Sequence, residues 1–82
     1  MNIIFTKHAK ERIKTYNLSD DIVKDAIRNP DEIVEGYEET MIAHKLLNKH
    51  LLRVVYVTEK NIVKIITVYP SKKERYFKKN KK

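Results

Sequence analysis

Eighty-two residues with 18 lysines and arginines against 11 aspartates and glutamates, a net charge of +7, make a chain long enough for one hydrophobic core and too short for two. The absence of cysteine excludes disulfides and thiolate metal sites, so stability must come from packing and a salt-bridged surface, as suits a reducing compartment. No apolar run approaches the roughly 18 residues of a bilayer span, and Met1 to Lys7 lacks an export-signal layout, so the expectation is a cytoplasmic protein with no membrane partner.

Asn2 to Phe5 is short and apolar, suited to a brief strand or an arm under a sheet. Thr6 suits an N-cap, and Ala9, Ile13 and Tyr16 then fall at helical spacing, predicting a helix over 6–16. His8 and Arg12 are four apart and share a stripe beside that apolar face, while Lys7, Lys10 and Lys14 lie further round. Asn17 and Leu18 form a break. Ser19, followed by Asp20 and Asp21, opens a second helix over 19–29 with Ile22, Val23, Ala26 and Ile27 as its buried stripe, and Asn29 and Pro30 stop it. Helices this short are marginal alone and need a sheet to lie on.

Residues 31–69 read as that sheet. Asp31 to Tyr37 alternates loosely, with Gly36 marking a bulge or bend in a short edge strand. Thr40 to Leu47 follows, with Ile42, His44 and Leu46 on one face and Met41, Ala43, Lys45 and Leu47 on the other. Asn48 and Lys49 connect it to a hairpin of two almost wholly apolar arms, Leu51 to Thr58 and Ile62 to Tyr69. The predicted architecture is α+β, two N-terminal helices on a four-stranded antiparallel meander, with a basic tail over 70–82. A turn at Glu59-Lys60 would set Arg53 opposite Ile66 and facing away from Thr67; a turn one residue longer reverses that.

Charge is segregated along the chain. From Pro70 to Lys82 six lysines and Arg75 stand against Glu74 alone, whereas residues 17–44 hold eight acidic groups against Lys24 and Arg28. A folded molecule with one acidic and one basic side suits a polyanion at the basic side, although lysine-rich ends also serve plain solubility.

Three local patterns carry a resemblance that spans nearly the whole chain. His8-Ala9-Lys10-Glu11-Arg12-Ile13, the helix-ending Asn29-Pro30 and the strand end Thr67-Val68-Tyr69 resemble a small uncharacterised prokaryotic and phage domain family, itself similar to the RelE and ParE toxins. That resemblance implies a helical layer on a four-stranded antiparallel sheet. It also implies a toxin-type RNA-binding protein or metal-independent endoribonuclease covered by an acidic antitoxin, or a ParE-like inhibitor of a protein target. The same basic surface would also serve a non-catalytic module that binds nucleic acid or a ribosome. RelE-type enzymes differ in their catalytic residues, so the carry-over is positional: His8 and Arg12 at the opening motif, Thr67 and Tyr69 at the strand end.

Cutting RNA without a metal needs a base for the 2′-OH, an acid for the leaving 5′-oxygen and cations around the phosphate. His8 is the candidate acid or base and Arg12 a phosphate ligand, against the plainer alternative of local hydrogen bonding and an Arg12 pair with Glu32 or Glu35. Arg53 interrupts an apolar strand and must meet solvent, a carboxylate or a phosphate. Tyr56 and Tyr69 are candidates for stacking on a base, or for the core. Lys7, Lys10, Lys64, Lys72, Lys73, Arg75, Lys78 and Lys79 would position RNA or a ribosome through phosphate contacts. His44 and His50 lie in different elements without carboxylates at ligand spacing, so neither a metal site nor a cofactor is expected.

Overall fold

A computed structural model describes residues 2–72. The chain runs β1 (Asn2–Phe5), α1 (Lys7–Thr15), α2 (Asp20–Arg28), β2 (Glu32–Glu35), β3 (Met41–Leu47), β4 (His50–Glu59) and β5 (Ile62–Lys72). The sheet has five strands in the order β1-β5-β4-β3-β2, with β1 parallel to β5 and every other pair antiparallel. This corrects the four-stranded antiparallel meander expected from the sequence. The apolar start of the chain adds a fifth strand beside β5, and α1 and α2, with the three strands after them, form the long crossover that a parallel pair requires.

Both helices obey their local signals. Thr6 caps α1 by accepting from the Ala9 N–H, and Ser19 caps α2 by accepting from that of Ile22. At the end of α1, Asn17 takes a left-handed conformation at φ 57°, the Asn17 N–H bonds Lys14 O and the Leu18 N–H bonds Ile13 O, which closes the helix in a Schellman arrangement. Ala9, Ile13, Val23 and Ala26 are the buried helical residues, and they meet Ala43, Leu52, Val54, Val63, Ile65 and Val68 of the sheet. Each large aliphatic side chain so buried contributes roughly 1.5–3 kcal/mol. Tyr16 and Ile22, expected in the apolar stripes, are exposed because they sit at the end of α1 and in the first turn of α2.

The β4–β5 register decides which side chains share a face. Lys60 and Asn61 form the turn, since Glu59 pairs with Ile62. Continued unbroken, that register would set Arg53 opposite Val68. A bulge intervenes instead: Tyr56 pairs with Ile65 but Val55 with Thr67, leaving Ile66 as the extra residue. One inserted residue moves Val68 into the core and brings Thr67 and Tyr69 onto the face away from the helices, with Tyr69 opposite Arg53.

Thr6 secures the bulge. Its backbone N–H donates to Ile65 O at 3.1 Å and its hydroxyl donates to Ile66 O at 3.0 Å, while the same oxygen caps α1. Thr6→Val keeps the side-chain shape and removes both hydroxyl interactions. It is expected to cost about 1–2 kcal/mol in urea unfolding, with Thr6→Ser close to wild type.

Candidate functional site

Alternation puts Ala43, Leu52, Val54 and Val68 under the helices, so their neighbours His44, Arg53 and Tyr69 lie on the second face of the sheet. Glu32 pairs with His44, His44 with Arg53 and Arg53 with Tyr69, so four polar residues form one transverse row over β2, β3, β4 and β5. His44 Nδ1 is 2.9 Å from Glu32 Oε1, Arg53 Nε–H donates to His44 Nε2 at 3.1 Å, and Arg53 Nη1–H donates to the Tyr69 hydroxyl oxygen at 2.6 Å. His44 is 1% exposed and Arg53 8%, so the row is largely a buried polar network in which each side chain has a partner.

These contacts assign the protons. Nε2 of His44 accepts from Arg53 and must hold a lone pair, so the ring proton is on Nδ1 and points at the Glu32 carboxylate. The imidazole thus relays between a carboxylate and a guanidinium whose charges oppose each other, which offsets the cost of burying Arg53. At the other end the half-buried Tyr69 accepts from Arg53, so its own hydroxyl proton points away from that bond. The Arg53 guanidinium also lies 5.4 Å from the centre of the Tyr69 ring. The row therefore presents a polarised phenol at one end and a partly exposed carboxylate at the other.

Of the five candidate catalytic residues His8, Arg12, Arg53, Thr67 and Tyr69, the fold brings together the last three. Thr67, paired with Val55, is two residues from Tyr69 on the same face. His8 and Arg12 belong to the helical layer, on the other side of the sheet. His8 is exposed. Arg12 makes neither of the pairs envisaged with Glu32 and Glu35: its Nη2–H donates to Thr15 Oγ1 at 3.3 Å, its guanidinium lies 5.8 Å from the centre of the Tyr16 ring, and its buried Nε has no hydrogen-bond partner. The two candidate tyrosines also part company. Tyr56 packs against the core beneath the helices, and burial raises its phenol above the ordinary value.

A family model described as "Domain of unknown function (DUF4258)" matches residues 5–70. The chain belongs to that family. No curated protein and no solved structure matches it. The matched span contains the whole polar row and both caps of the DUF4258 domain's helices.

Among the candidate phosphate ligands, Lys64 is half-buried and pairs with Val57 on the second face, and Lys7 and Lys72 are exposed. Lys10 is engaged by Asp20 at 2.7 Å and lies 5.0 Å from the centre of the Phe5 ring. Lys73, Arg75, Lys78 and Lys79 lie outside the described residues. Lys45, at the helical face, donates to Asn29 O at 2.7 Å and lies 3.6 Å from Asp25; the Asn29 amide first, and then Lys45, hold the Asp25 carboxyl below its ordinary value against some desolvation. Among the described residues, no three His, Asp or Glu side chains approach closely enough to hold a metal ion. A groove of about 300 Å³ opens between the end of α1 and the β3–β4 turn, lined by Tyr16, Leu18, Leu47, Asn48, His50 and Pro70.

Sequence reasoning placed His44 on its correct face but missed its role, and it missed Glu32 in the row. A signal was present: a two-residue turn at Asn48-Lys49 pairs Leu47 with His50 and, three steps back, His44 with Arg53, the two polar interruptions of adjoining apolar strands.

Two measurements check the row. Nitrogen-15 NMR of His44 should show a protonated Nδ1 and an unprotonated Nε2 at neutral pH; the opposite tautomer contradicts the Arg53 donation. Arg53→Met, which strands the His44 and Tyr69 acceptors, should cost about 2–4 kcal/mol in urea unfolding, more than Tyr69→Phe at about 1–2 kcal/mol.

Proposed function

We propose that this DUF4258 domain is an RNA-binding protein of the RelE-like toxin type, with RNA seated on the second face of the sheet around Tyr69. The observation that carries the reading is the 2.6 Å bond from Arg53 to the Tyr69 hydroxyl. It orients a half-buried aromatic ring and leaves its proton for an acceptor such as a phosphate oxygen, while the ring face suits stacking on a base. Thr67 and Lys64 share that face, and the net charge of +7 favours a polyanion. In this reading an acidic antitoxin protein is the partner that masks the same surface.

The chemistry favours binding over cleavage as the primary activity. Scission of RNA without a metal needs a base within reach of the 2′-OH. Both ring nitrogens of His44 are engaged and the ring is almost wholly buried, so its part is to position Arg53, and through it Tyr69. The exposed imidazoles are His8 and His50, and neither is in the row: His8 sits on α1 in the other layer and His50 lines the groove at the end of α1.

The test is EDTA-treated protein with end-labelled RNA, reading retention and cleavage on one gel. Wild type should retain RNA, more weakly as salt rises, and Tyr69→Ala should weaken retention about tenfold, as the loss of one stacked base does. Retention that is absent at low salt, or unchanged in both Tyr69→Ala and Lys64→Ala, sinks the proposal. Cleavage that disappears in His8→Ala or Arg12→Ala would move the site to the helical layer.

A further inference from the structure

Among the described residues β2 is the outermost strand on its side, with β3 as its single neighbour. The Gly36 N–H donates to Thr40 O at 2.9 Å, which sets the alternation of the β2–β3 ladder. Val34 then faces β3, and the backbone N–H and C=O groups of Ile33 and Glu35 point outward from the sheet. An edge with free donors and acceptors is a template for another strand, and natural proteins commonly blunt it with charge.

Two apolar groups stand beside this edge. Ile33 is 47% exposed and Tyr37 83%, the highest exposure among the large apolar and aromatic side chains described. Tyr37 is presented by an ordered turn: the Thr40 hydroxyl and N–H both donate to Tyr37 O, at 2.7 and 3.1 Å. That turn is tight enough that a Cβ on Gly36 would collide with the Thr40 hydroxyl and crowd Ile42. The exposed charges on β2 and the turn after it are of one sign. Glu35, Glu38 and Glu39 are exposed, and among the described residues none of the three is in an ion pair.

We propose that the outer edge of β2 docks an extended lysine- or arginine-rich segment of a partner protein, which adds to the sheet as a sixth strand. The outward backbone groups of Ile33 and Glu35 supply the ladder, Ile33 and Tyr37 supply the apolar anchors, and the glutamates select the sign of the partner's charge. The same glutamates oppose pairing of two β2 edges, which would set acid against acid. This surface shares no backbone group with the proposed RNA face.

The experiment is amide hydrogen exchange by NMR on the full chain, alone and with a ten-residue peptide alternating lysine and valine, beside the peptide with glutamate for lysine. With the lysine peptide near ten times its dissociation constant, the Ile33 and Glu35 amides should exchange about tenfold more slowly, with no change from the glutamate peptide. The double variant Glu35→Lys and Glu39→Lys alters exposed side chains only, so it should stay folded by circular dichroism and reverse the preference. No slowing at Ile33 and Glu35 with millimolar lysine peptide overturns the proposal, as does equal slowing by both peptides. Slowing with protein concentration alone would also overturn it, in favour of a second copy of the chain.

Discussion

The arrangement of this domain depends on how Thr6 holds the bulge at Ile66. A hairpin with turn Lys60-Asn61 has a register that, left unbroken, buries Thr67 and turns Val68 outward. The extra residue reverses that for the strand beyond it. A bulge leaves a carbonyl out of the ladder, and here the Thr6 hydroxyl takes up Ile66 O while its oxygen also satisfies the first turn of α1. Helix start, parallel strand and bulge are thus coupled through one side chain. An error at that point would move Tyr69 to the wrong face and dismantle the polar row.

The row is an economical solution to burying an arginine mid-sheet. A guanidinium buried between Leu52 and Val54 in sequence, on the opposite face from both, needs acceptors, and the ladder supplies them sideways, with His44 on one neighbouring strand and Tyr69 on the other. Glu32 fixes the imidazole tautomer that can accept from Arg53. The energetic consequence is cooperativity, since removing any member withdraws a hydrogen-bond partner from its neighbour in the row. The structural consequence is that the Tyr69 ring is held in one orientation by Arg53.

The two edges of the sheet are managed differently. β1 covers one side of β5 and is joined directly to α1 through Thr6, whereas β2 ends the sheet with four residues, two of them glutamates. Acidic residues concentrate around β2 and the helix before it, whereas Lys64 lies on β5, on the second face. Among the described residues this sets the acidic edge at β2 apart from Lys64 on the second face of the sheet.

The sequence by itself determined both helices, their caps and breaks and the alternation of β3, because these follow from local spacing and capping chemistry. It also marked Arg53, Tyr56, Lys64, Thr67 and Tyr69 as exceptions in a dry hairpin, of which Tyr56 packs against the core. What it left undecided is long-range. The pairing of Asn2–Phe5 with β5 joins segments about sixty positions apart, and no local pattern specifies a partner at that distance. The bulge at Ile66 is equally silent in a run of β-branched residues that reads the same with or without an extra position. Tertiary structure alone decided that His8 and Arg12 lie on one side of the sheet and Tyr69 on the other, because a one-residue slip in register exchanges the two faces of a strand.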